Sequence, residues 1–149
     1  MELEKDLVLN KIHCIKEKTL LNLLYTSNWV NSNLKSRFDP FNTTVQQYNI
    51  LRILRDQSNK PATINLLKDR MLDKMSDASR IVERLVQKAL VQRTICCNDR
   101  RAVDISLTEA GHSLLDTLDK NYAAEDVIGA RLNELELRQL NLYLDRLRD

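Results

Sequence analysis

Arg80 and Arg84 stand four residues apart in a segment patterned as a helix, so their side chains share one face. A guanidinium is a planar fork of N–H donors, and it matches the O6 and N7 acceptors that guanine shows in a major groove. Ser76, Asp77 and Ser79 fall at or near the first turn of the same helix, with short polar groups for bases and phosphates. Asp77 suits two tasks, accepting from cytosine N4 or placing negative charge at a helix N-terminus. Further on, Asn98-Asp99-Arg100-Arg101 lies between two β-patterned runs. There the Asp99 carboxylate can hold the Arg101 guanidinium extended for a narrow minor groove, and Arg100 adds positive charge.

Each of these features also has a plainer account. Arg80, Glu83 and Arg84 can form a solvated helix face with exposed ion pairs of little energy. Asn98 to Arg101 can be an ordinary charged hairpin turn. Charge distribution favours the nucleic-acid account. From Lys60 to Arg101 there are ten basic and five acidic residues, a net of +5 in a chain of net +2, so the remainder carries −3. Positive charge gathered on one segment between acidic flanks is the footprint of a nucleic-acid face.

The elements that must hold these residues are mostly helical. In 149 residues there are only 2 Gly and 2 Pro, with 43% apolar and 30% charged residues, which argues against disorder and against a turn-rich β-fold. Leu7, Ile12, Ile15, Leu20, Leu23, Leu24, Val30 and Leu34 recur at helical spacing, predicting a first helix from about Asp6 to Lys35, broken by Asp39-Pro40. Thr44-Val45-Gln46-Gln47 is a capping box opening a second helix. After a short turn at Lys60-Pro61-Ala62, Thr63 caps a short helix to about Met71. The next helix is expected from about Lys74 to Ala89, with Ala78, Ile81, Val82 and Leu85 inward and Lys74, Asp77, Arg80, Arg84 and Lys88 outward. Val91–Cys96 and Val103–Leu107 read as strands, the second alternating strictly between apolar and polar. Thr108 caps a helix bearing Leu114, Leu115, Leu118 and Tyr122, reaching about Ala130, and Asn133 with Glu136 caps a last one. That last helix has Leu137, Leu140, Leu144 and Leu147 on one stripe with Leu135 and Leu142 on another side, so a second subunit is an economical cover for it.

Taken in order, Thr44-x-x-Gln47-Tyr48-x-Ile50-Leu51, Ser79-Arg80-x-Val82-x-Arg84-Leu85, Asp99-Arg100-Arg101-Ala102-Val103 and Leu107-Thr108-Glu109-Ala110-Gly111 resemble the MarR family of bacterial winged-helix transcriptional regulators. The resemblance implies a mainly α fold with a winged helix-turn-helix core of six helices and a two-stranded β-wing. It implies one domain over residues 1–149, with the winged helix-turn-helix at 43–111 and a helical dimerisation region at 1–42 and 112–149. It also implies an intertwined homodimer on a pseudo-palindromic duplex operator, acting as a repressor that a small aromatic effector releases. In the family's D-x-R pattern Arg101 is the principal wing contact and Arg100 an additional phosphate contact. Tyr25, Trp29, Tyr48 and Arg52 fall where the family builds its effector pocket, although filling a helix junction accounts for the aromatics equally well. Ala89 stands where the family usually has Gly, which puts a residue with a Cβ at a left-handed helix exit.

Other chemistry finds little support. His13 and His112 are the only histidines and no Cys/His cluster has ligand spacing, so neither a metal nor another cofactor is expected. A catalytic constellation and a phosphate-binding glycine loop are both absent from the sequence, so the chain does not read as an enzyme. Cys14 beside His13 does not match the family's redox pattern, and Cys96-Cys97 on a strand point to opposite faces. Three cysteines, no basic-then-apolar leader and no apolar run of membrane-spanning length fit a cytoplasmic protein. A winged-helix module that assembles with other proteins and leaves DNA alone is the alternative reading.

Overall fold

A computed structural model describes residues 12–57, 60–95, 103–121, 127–128 and 131–149. Among them are six α-helices and one two-stranded antiparallel sheet, so the expected mainly α winged-helix architecture is the one observed. The chain divides into two compact units, Lys35–Ala123 and the pair of segments Met1–Leu34 with Ala124–Asp149.

Helix α1 spans Ile15–Phe38, ending later than the periodicity suggests, while residues 6–11 of the expected helix lie outside the described residues. Ile12–Cys14 are not helical, and the reason is a local cap. Cys14 Sγ accepts the Glu17 N–H at 3.5 Å, the Glu17 carboxylate accepts the His13 N–H at 2.7 Å, and the Cys14 carbonyl takes the first helical bond from Lys18. Pro40 disfavours helical geometry at the residue before it. The chain accordingly tightens into a 3-10 turn, Asp39–Phe41, and leaves through Asn42 in the left-handed region at φ 50°.

Helix α2 (Val45–Asp56) opens on the predicted capping box: Thr44 Oγ1 accepts the Gln47 N–H at 3.2 Å, and Gln47 Oε1 accepts the Thr44 N–H at 3.4 Å. Helix α3 (Ile64–Arg70) is capped by Thr63 as expected. Ala62, read from sequence as part of a turn, instead pairs with the wing, exchanging 2.9 Å backbone bonds with Ile105 in both directions. Helix α4 covers Ala78–Gln87, and strands β1 (Val91–Ile95) and β2 (Val103–Leu107) pair in register from Val91↔Leu107 to Ile95↔Val103. Helix α5 runs Glu109–Asn121; most of its expected continuation, including Tyr122 and Ala130, lies outside the described residues. Helix α6 (Glu134–Arg148) starts at the predicted Asn133–Glu136 capping box.

The core of the Lys35–Ala123 unit is built from Phe38, Ile50, Leu51, Leu67, Met71, Val82, Leu85, Ile105, Leu115 and Leu118, each essentially without solvent contact. At about 1.5–3 kcal/mol for each large apolar side chain, this burial fixes α4 against α2 and α3 and anchors β2 beneath them. The other unit is built differently. Helix α6 buries no residue, and Leu135, Leu140, Leu142, Tyr143 and Leu147 are exposed, as are Ile15, Leu20, Leu24 and Trp29 on α1.

Candidate nucleic-acid interface

The start of α4 is set by two aspartates. Asp73 folds the preceding turn around itself: Oδ1 accepts the Met75 N–H at 3.0 Å, Oδ2 accepts the Ser76 hydroxyl at 2.6 Å, and its carbonyl accepts the Ser76 N–H at 3.3 Å. The Ser76 hydroxyl, then the Met75 N–H, hold the Asp73 carboxyl below the usual range. Asp77 is then the N-cap, accepting the Arg80 N–H at 3.1 Å. Of the two roles open to Asp77, capping is therefore present in the geometry.

These contacts correct the sequence expectation of a helix beginning at Lys74. Lys74 lies in the turn, and its ammonium donates to the Asp69 carbonyl at the end of α3. Lys88, expected as the last member of the basic stripe, is the C-cap of α4 and reaches across to the Asn42 carbonyl and to Gln47 Oε1, the latter at 3.0 Å. The outward basic face of α4 thus consists of Arg80 and Arg84, both exposed, with Ser79 exposed beside them. Arg80, Arg84, Ser76 and Asp77 line one side of a cleft of about 240 Å³ whose other wall is Thr44, Gln46 and Gln47 at the start of α2. Ser79 does not line this cleft. Gln46 and Thr44 were not anticipated as part of it, because their sequence signature is that of a helix cap.

The exit from α4 is as specific as its entrance. Ala89 sits at φ 55°, its N–H donating to Val86 O at 2.9 Å, while the Leu90 N–H reaches Leu85 O at 3.0 Å. This is the Schellman arrangement, formed with alanine in the left-handed position. Thr108 closes it from the far side: its hydroxyl donates to Ala89 O at 2.7 Å and its N–H to Leu90 O at 3.1 Å. The same hydroxyl accepts the Gly111 N–H at 3.1 Å, so one side chain caps α5 and fastens the base of the wing. Strand β1 carries Arg93 outward, and Gln92 bonds Ser106 across the ladder at 3.2 Å. The wing-tip residues Asp99, Arg100 and Arg101, with Cys96 and Cys97, lie outside the described residues.

The four expected pocket residues fall in different units. Tyr25 is half-buried and Trp29 exposed on α1 in the Met1–Leu34 segment. In the other unit Tyr48 is buried, stacked obliquely on Phe38 at 4.8 Å between ring centroids, and Arg52 is exposed with its guanidinium 5.9 Å from the Tyr48 ring centre. The Tyr48 hydroxyl donates to Asp119 Oδ1 at 2.8 Å, and Arg55 Nη1 donates to Asp119 Oδ2 at 2.5 Å. Burial pushes the Asp119 carboxyl up, but hydrogen bonds from Arg55 and Tyr48 and the charges of Arg55 and Arg52 outweigh it and hold it below the usual range. Asp119 in turn raises the Arg55 guanidinium, chiefly through their hydrogen bond. Arg55 and Asp119 escaped sequence reasoning because 64 residues separate them.

Residues 43–103 match the family model described as MarR family. Among solved structures, the chain is similar to a MarR transcription factor from Planctomyces limnophilus, with 25% identity, a TM-score of 0.67, and coverage of 93% of this chain and 98% of that one. It is similar in fold to a cysteine-to-serine variant of MarR from E. coli complexed with operator DNA, at 22% identity and a TM-score of 0.75 over 89% and 94% of the two chains. BpsR from Bordetella bronchiseptica, whose DNA binding is regulated by 6-hydroxynicotinic acid, has 21% identity and a TM-score of 0.70 over 85% and 96%. A search of curated protein sequences finds no match.

Proposed function

We propose that the protein, whose residues 43–103 match the MarR family model and whose fold is that of the MarR winged helix, is a dimeric, sequence-specific regulator that binds duplex DNA and acts as a repressor. One observation carries the reading: Arg80 and Arg84 are the exposed cations of α4, and they open onto the same cleft as Ser76 and the α4 N-cap Asp77. A helix that is apolar inward and arginine-bearing outward, with its N-terminus held by a rigid turn, is built to enter a major groove. Arg80 and Arg84 would read guanine edges, Ser76 and Ser79 would meet bases or phosphates, and Asp77 would hold the helix start in place. At the wing, Asp99 would brace Arg101 toward the minor groove while Arg100 meets the backbone.

The uncovered leucines of α6 and the apolar residues of α1 support a homodimer, because a second copy supplies the surface they lack. Two copies would place two α4 helices on a pseudo-palindromic operator. For effector control, Arg52 is exposed beside the Tyr48 ring and would anchor the carboxylate of a small aromatic acid. The proposed location is the cytoplasm; among the described residues no helix is long and apolar enough to cross a membrane.

Selection of bound duplexes from a random pool tests this reading, followed by affinity measurements across salt. The expected result is an enriched two-fold symmetric site, with affinity falling steeply and linearly in log–log form as salt rises. Failure to enrich any duplex would leave the winged-helix protein-assembly alternative.

A further inference from the structure

Met75 is 94% exposed, two residues before the N-cap of α4, and it is held there by an ordered turn. The Asp73 carboxylate bonds both the Met75 N–H and the Ser76 hydroxyl. The Leu72 N–H is fixed by Asn49 Oδ1 at 2.9 Å, and Lys74 is tied back to the Asp69 carbonyl. Every neighbour of Met75 in the turn therefore has a bonded role, while its own thioether chain stands in solvent. A backbone this constrained spends no further ordering entropy when its side chain meets a surface.

The adjacent surface is the cleft wall formed by Ser76, Asp77 and Arg80. We infer that Met75 is a specificity-determining residue whose side chain packs on the C5-methyl group of a thymine beside the base pair read by Arg80, once in each half-site. Thymine is the only DNA base that offers an apolar group in the major groove, and apolar side chains recognise it by contact alone. An unbranched, polarizable thioether suits such a contact because it adapts its rotamers to one methyl group. This inference rests on the DNA-binding reading above and adds a base preference to it.

The test uses the full-length protein and the duplex enriched by selection. Each thymine is replaced singly by deoxyuridine, which removes the methyl group and nothing else, and affinity is measured for the natural protein, Met75→Ala and Met75→Leu. The natural protein should lose about fourfold in affinity at one thymine position per half-site, the worth of one buried methyl. Met75→Ala should be indifferent to that replacement, and Met75→Leu should regain the dependence. Equal losses for the natural protein and Met75→Ala at every position would overturn the inference while leaving DNA binding intact. If selection enriches no duplex, the DNA-binding reading falls and this inference falls with it. Unfolding midpoints should coincide for all three proteins, since Met75 packs on nothing within its own chain.

Discussion

A Cβ on Gly111 would stand 2.1 Å from the carbonyl oxygen of Leu90, so the first turn of α5 and the chain leaving α4 meet backbone to backbone. The obstacle is a carbonyl already engaged by the Thr108 N–H, so it has little freedom to retreat. Glycine is needed here for space, in a helix where it otherwise costs stability. Gly111→Ala should destabilise the fold by about 1–3 kcal/mol, as overpacking does. Urea unfolding of the variant checks this, and an unchanged midpoint would mean that α5 can shift away from Leu90.

Ala89 presents the opposite case. Its φ of 55° is one that an L-residue with a Cβ adopts at a cost of about 1–2 kcal/mol, while glycine adopts it freely. Ala89→Gly should therefore stabilise the protein, by about 1 kcal/mol once the greater chain entropy of unfolded glycine is deducted. The Schellman bonds from Ala89 and Leu90 are backbone bonds and survive the change. A fall in the thermal midpoint would contradict this account of the α4 exit.

How much of this was legible beforehand depends on the range of the interaction. The caps at Thr44 and Asn133 span three residues, and the alternation of Val103–Leu107 is carried by neighbours, so local rules find them. The strain at Ala89 was visible too, because the resemblance marks that position as a glycine site. The start of α4 was not legible. Asp73-Lys74-Met75-Ser76-Asp77 offers three cap residues, and the choice among them rests in part on Asn49 and Asp69, which lie outside the segment. Lys88 continues the spacing of Arg80 and Arg84, yet it bonds a carbonyl 46 residues away. Periodicity places a residue on a face; it does not say whether a long side chain folds back.

Asp119 joins α5 to α2 through Tyr48 and Arg55, and that junction should be sensitive to acid. The folded carboxyl lies below its ordinary value, so the stability it contributes is fully present above the unfolded value near pH 4 and is lost as pH falls through the lowered folded value. Tyr48→Phe should cost about 1–2 kcal/mol at neutral pH by removing a hydrogen bond to a charged group. Asp119→Asn should flatten the loss of stability between pH 5 and about pH 3. Unfolding free energies measured over that range check both, and parallel acid curves for Asp119→Asn and the natural protein would remove Asp119 from this role.

DNA recognition should divide between the helix and the wing. Arg80→Ala is expected to cost about 1–3 kcal/mol of discrimination at one base pair per half-site, with that position becoming tolerant of other bases. Arg101→Ala should weaken operator binding at least about tenfold with folding unchanged, as loss of a groove contact at the wing does. The two effects should add, because the residues approach different grooves. Anisotropy titrations with matched and single-substituted duplexes distinguish these outcomes, and natural affinity in Arg101→Ala would remove the wing from the interface.

Assembly should respond to charge placed on the bare face of α6. Leu140 and Leu147 lie two turns apart on one stripe and are 43% and 62% exposed within a single chain. Covering what remains exposed of each would contribute roughly half of the 1.5–3 kcal/mol that full burial of such a side chain is worth. Leu140→Glu should therefore convert a dimer to a monomer at micromolar concentration, with little change in helix content, because α6 holds no fully buried residue within its own chain. The monomer should bind a single half-site weakly, since the avidity that joins two half-sites is lost. Sedimentation of the natural protein and the variant settles the first point and titration of full and half operators the second; a natural protein that sediments as a monomer would overturn the dimeric reading.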